Sequence, residues 1–112
     1  MIQVRSLPAI RSHQNNGWEL VFWMGDAFDY TTPFRAALAE MVDVLSRQAP
    51  SSIRLPDYED WEDFVEGSLQ FGGTTVHVYY EHSLAYLSLT SPSEDTLREI
   101  ASHLGSSLSV CP

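Results

Sequence analysis

Lysine is absent from this chain of 112 residues, and the six arginines, Arg5, Arg11, Arg35, Arg47, Arg54 and Arg98, are scattered rather than clustered. Recognition of DNA or RNA through a basic face needs grouped cations that displace counterions from phosphates. Set against 15 acidic residues, the arginines leave a formal net charge of -9. Direct binding to nucleic acid is therefore not expected, nor is docking on an anionic membrane surface. Cysteine occurs once, at Cys111, and one thiol makes no intrachain disulfide. No run approaches the roughly 20 apolar residues that span a bilayer. Met1 to Pro8 lacks the long apolar core of a secretory leader, so a soluble, cytoplasmic protein is expected.

Catalytic and metal-binding signatures are missing as well. There is no Gly-x-Ser-x-Gly elbow and no glycine loop suited to a phosphate. His13, His77, His82 and His103 form no i, i+4 pair on a helix and have no cysteine beside them, which argues against zinc. Glu81-His82-Ser83 has the residue types of a proton relay, but neighbours on an extended chain point opposite ways. No enzyme activity, metal or cofactor is implied.

What the chain does have is core material. Apolar residues make up 44% of it and aromatics 12%, enough for a globular fold and too much for disorder. The length suits a single compact domain over residues 1–112.

Trp18 to Met24 is short, aromatic and β-branched, and reads as a central strand that is apolar on both faces. Asn15-Asn16-Gly17 before it reads as a tight turn, with Ile2 to Val4 or Leu7 to Ile10 as the hairpin partner. Thr32 as cap and Pro33 at the first helical position open a helix whose stripe is Phe34, Leu38, Met41, Val42 and Leu45. It should stop near Gln48, ahead of Pro50. Ala49 to Pro56 reads as a loop. Phe64 to Phe71, Thr74 to Glu81 and Leu84 to Thr90 form a strand meander, joined by Gly72-Gly73 and by His82-Ser83. Alternation puts Val76, Val78 and Tyr80 on one face, with Thr75, His77, Tyr79 and Glu81 on the other. Ser91-Pro92-Ser93-Glu94 reads as a capping box with proline at the first position. The helix it opens buries Leu97, Ile100, Ala101 and Leu104 and stops at Gly105. Ser107 to Val110 adds a short edge strand. The sum is an α+β fold: an antiparallel sheet of four to six strands with two helices packed on one face.

The stretch from Asp57 to Glu66 is the least expected from packing alone, with six acidic positions in ten and aromatics between them. Like charges this dense repel one another. A calcium loop is a poor account, because Asp57-Tyr58-Glu59-Asp60-Trp61 lacks the turn glycine and puts tryptophan where a ligand is wanted. If Asp57 to Asp63 form a helical turn, Trp61 and Phe64 face the body while Glu59, Glu62, Asp63 and Glu66 project outward. One reading is a solvated face that aids solubility. The other is a docking patch for a basic partner, built from Asp57, Glu59, Asp60, Glu62, Asp63 and Glu66 with Tyr58 and Trp61 as anchors.

The segment Glu66 to Leu89 has a glycine hairpin, a tyrosine-rich strand ending in Glu81-His82-Ser83-Leu84, an aromatic-leucine strand and then a capped helix. It resembles the strand meander of small immunity proteins that accompany bacterial polymorphic and contact-dependent growth-inhibition toxins. The resemblance covers roughly the last 45 residues. It implies a non-enzymatic cytoplasmic protein, a monomer or weak dimer, that binds and neutralises a cognate toxin domain. A basic nuclease is the partner that the charge would suit. The resemblance fixes no binding residues. Two other readings stand beside it: an acidic adaptor or subunit for some other basic protein, and a small enzyme or ligand carrier with a deep pocket converging on His77, Tyr79 and Glu81.

Overall fold

Alternating apolar residues build a sheet that is buried on one side. The computed structural model describes residues 2–14, 17–26, 32–57 and 62–110. Within them lie β1 (Ile2–Val4), β2 (Ala9–His13), β3 (Gly17–Trp23), α1 (Phe34–Leu45) and β4 (Ser51–Arg54), followed by β5 (Phe64–Phe71), β6 (Thr74–Glu81), β7 (Tyr86–Ser91), α2 (Glu94–Leu104) and β8 (Leu108–Val110). Six strands form an antiparallel sheet in the order β2-β3-β7-β6-β5-β4, and β1 pairs in parallel with β8 as a separate two-stranded sheet. The fold is α+β, with both helices packed against the sheet. Among the described residues no helix is long and apolar enough to cross a membrane.

The buried face takes every second residue of the central strands. Leu20 and Phe22 of β3, Leu87 and Leu89 of β7, and Val76, Val78 and Tyr80 of β6 are all fully buried. Phe34, Leu38, Met41 and Leu45 of α1 and Leu97, Ile100 and Leu104 of α2 close over them. Each such large side chain contributes about 1.5–3 kcal/mol when removed from water. Phe34 stacks on Tyr80 with ring centroids 4.0 Å apart, which seats the start of α1 on β6.

Several local expectations are corrected. The partner of β3 is Ala9–His13, while Ile2–Val4 is recruited by β8 at the far end of the chain. The stretch read as a loop after α1 contains β4, an edge strand too short and polar to show a period. Pro33, not Thr32, precedes the first helical residue of α1, and no side chain caps that end; the Phe34 N–H donates to the Thr32 carbonyl. Ser93 caps α2 by accepting from the Thr96 N–H, two residues later than the box expected from Ser91. α2 does end at Gly105, as expected, with that residue right-handed and opening a 3₁₀ turn. The β6–β7 connection runs from His82 to Ala85, and Ala85 rather than a glycine takes the positive φ, at 50°. Gly72 does behave as a hairpin glycine, with φ at 59°.

Candidate functional site

Both helices cover the same side, so among the described residues the other face of the sheet carries no helix, and strand pairing writes its side chains out in rows. Along one row, Trp23 of β3 lies opposite Tyr86 of β7, Tyr86 opposite Glu81 of β6, and Glu81 opposite Phe64 of β5. The next row runs Val21, Ser88, Tyr79 and Glu66, and the third runs Arg11, Glu19, Thr90, His77 and Ser68. The rings touch their neighbours: Trp23 to Tyr86 at 5.1 Å, Tyr86 to Tyr79 at 6.3 Å and Tyr79 to Phe64 at 5.8 Å between centroids. Phe64 is 54% exposed and Trp23 39%. An aromatic belt therefore crosses four strands, and among the described residues no helix lies over it; apolar anchors of this kind are found at interface centres.

Carboxylates are set among the rings in two constructed clusters. Glu19 is buried. Tyr86 and Ser88 donate their hydroxyls to its Oε2, the latter at 2.8 Å, and Arg11 Nε–H donates to its Oε1 at 2.6 Å. Arg11 also donates to the Tyr86 oxygen at 3.3 Å, and its guanidinium carbon stands 5.9 Å from the centre of that ring. Burial works to raise the Glu19 carboxyl, but the hydrogen bonds from Tyr86, Arg11 and Ser88 outweigh it and hold the group below its ordinary value. Burial, and then the bond to Glu19, push the Tyr86 phenol up.

Two strands away, Glu81 has the same kind of support. Tyr79 donates to its Oε1 at 2.9 Å and Ser83 to its Oε2 at 3.0 Å. Burial, then the bond to Glu81, push the Tyr79 phenol up to about 12. Glu66 lies across from Tyr79 and 3.9 Å from His77 Nε2.

The acidic segment enters this face at its edge. Of its expected site residues, Tyr58, Glu59, Asp60 and Trp61 lie outside the described residues. Asp57, Asp63 and Glu66 are exposed, as expected. Glu62 is not: its side chain is 12% exposed, with Oε2 2.8 Å from His82 Nε2 and Oε1 3.5 Å from Arg35. A carboxylate close to two nitrogen bases is held by them rather than left to solvent. Phe64 is also corrected, since it points to the open face and not to the body.

A wide-mouthed hollow of about 420 Å³ lies further along the sheet, bordered by His13, Trp18, Ser68, His77, Thr90 and Pro92 among others. His77 borders it, whereas Tyr79 and Glu81 do not.

Trp23, Tyr86, Glu19 and Ser83 were missed as members of this site by sequence reasoning. Alternation within Gly17–Trp23 could have found Glu19 and Trp23 on one side, had the strand not been read as apolar on both. The chain matches no model of a known protein family, and no curated protein or solved structure is found to be similar to it.

Proposed function

We propose that this chain is a binding protein that neutralises a basic partner domain by covering it with the open face of its sheet, as the resemblance to immunity proteins implies. The observation that carries the reading is the belt of Trp23, Tyr86, Tyr79 and Phe64 on the sheet face that carries no helix among the described residues, with Glu81 and Glu66 in the same rows and the exposed Asp63 next to Phe64 in the chain. Aromatic rings supply contact area at little entropic cost, and fixed negative charge speeds encounter with a cationic surface. The toxin domain of a delivered nuclease is such a surface, because its groove must hold phosphates. Inhibition in the cytoplasm calls for nanomolar affinity, about -12 kcal/mol. A standard interface of about 1,600 Å² is sufficient for that.

The test is co-expression with the protein encoded beside this chain's gene, read by co-purification and by growth of the host. A stable complex and restored growth are expected. A neighbour that is harmless alone, or that stays lethal and unbound, would overturn the reading.

A further inference from the structure

We infer that Glu81 is the receptor for a single arginine side chain of the partner, held between the rings of Phe64, Tyr79 and Tyr86. The inference rests on the reading of the open sheet face as a binding surface and names what that surface recognises.

The chain carries its own precedent. At Glu19, a tyrosine hydroxyl and a serine hydroxyl hold the carboxylate, and Arg11 completes the cluster by pairing with it while leaning over the tyrosine ring. At Glu81, a tyrosine hydroxyl and a serine hydroxyl again hold the carboxylate, one on each oxygen. All six arginines of the chain lie within the described residues, and none pairs with Glu81. An ionised carboxylate has about four acceptor positions. The two hydroxyls use one on each oxygen, which leaves one on each for a forked donor.

Guanidinium fits this better than ammonium. Its planar fork meets both carboxylate oxygens at once, and its face stacks on aromatic rings. Rings stand on three sides of Glu81: Tyr86 and Phe64 face it across the two neighbouring strands, and Tyr79 lies two residues back on its own strand. The hydroxyl bonds fix the carboxylate before anything arrives, which removes an ordering cost from binding.

The test titrates the full chain with N-acetyl-arginine amide and, separately, N-acetyl-lysine amide, followed by amide chemical shifts in NMR. Arginine is expected to bind in the millimolar range with shifts centred on Tyr79, Glu81 and Tyr86, and more tightly than lysine. Glu81→Gln, its fold verified by the same spectra, should weaken arginine binding about tenfold. Tyr79→Phe, which keeps the ring and removes the hydroxyl, should weaken it less, and Glu99→Gln on α2 should leave it unchanged. Equal binding of both probes, shifts spread over the acidic surface, or an unaffected Glu81→Gln protein would each overturn the arginine site. If the probe binds at Glu81 but no basic partner is captured, the site stands and the immunity reading falls. If a partner is neutralised equally well by Glu81→Gln, the immunity reading stands and this site falls.

Discussion

Glu62 Oε2 lies 2.8 Å from His82 Nε2, and this pair ties the end of the acidic segment to the turn between β6 and β7. A backbone bond from the His82 N–H to the Asp63 carbonyl, 3.0 Å long, reinforces the tie. The imidazole stands edge-on to both Phe34 and Tyr80, each 5.2 Å away. One histidine thus links the charged segment, the start of α1 and the core.

Replacing His82 by Leu is expected to cost about 1–3 kcal/mol, because Glu62 loses a partner at a site nearly closed to water. Urea unfolding should show the midpoint falling with its slope unchanged. A double-mutant cycle with Glu62→Gln should return a coupling of about 1 kcal/mol, and strict additivity would deny the link.

Glu19 makes stability depend on acid. Its folded pKa is depressed, so its contribution is fully present above the ordinary carboxyl value of 4.5 and is lost as pH falls through the lower folded value. In urea unfolding repeated at a series of pH values, Glu19→Gln should start less stable at neutral pH and lose less on acidification. Parallel pH curves for the two proteins would contradict this.

Tyr79 reports the other carboxylate from the alkaline side. Its phenol should ionise near pH 12 and not near 10, as read by phenolate absorbance. A raised folded pKa means that its stabilising contribution is present below pH 10 and fades as pH rises toward 12. Glu81→Gln should move that titration back toward 10, since it replaces a charged acceptor by a neutral one.

Gly67 is required by close approach of backbone. A β-carbon there would lie 2.2 Å from the Arg54 carbonyl oxygen and 2.7 Å from the Leu55 side chain. Gly67→Ala should therefore push β4 off β5 and destabilise the fold by about 1–3 kcal/mol. Gly73, whose β-carbon would meet nothing within 4 Å, should accept alanine with little change in melting temperature.

Binding should depend on the exposed carboxylates and not on all of the acidic segment. Combined Asp63→Asn and Glu66→Gln should slow association with a basic partner by about tenfold at low salt and flatten its salt dependence. Stopped-flow rates at two ionic strengths decide it, and unchanged rates would remove these residues from the interface. Glu62 does not belong in that set, because changing it loosens the fold at His82 and Arg35.

The meander was legible because its information is local. Val76, Val78 and Tyr80 alternate with polar neighbours, and Gly72-Gly73 marks the hairpin, so β5 and β6 were placed from periodicity alone. What periodicity could not show was long-range. Ile2–Val4 carries no sign that its partner is residues 108–110, and β4 has one large apolar residue, Ile53, against which no period can be judged. The open face was half legible. Tyr79 and Glu81 were assigned to it correctly, but Glu19, Trp23 and Tyr86 joined them only through strand order. Glu62 was misread because its charge suggested solvent, whereas His82 and Arg35 lie 20 and 27 residues away in sequence.

The parallel pairing of β1 with β8 has a mechanical consequence. Ile2 and Val110 sit at opposite ends of that short ribbon, with Ile2 beside Leu108 and Val4 beside Val110. A pull applied through residues 2 and 110 loads all of its hydrogen bonds together, in shear. The two strands would have to slide past each other before anything behind them could unravel, so tension along the chain meets a latch and not a zipper.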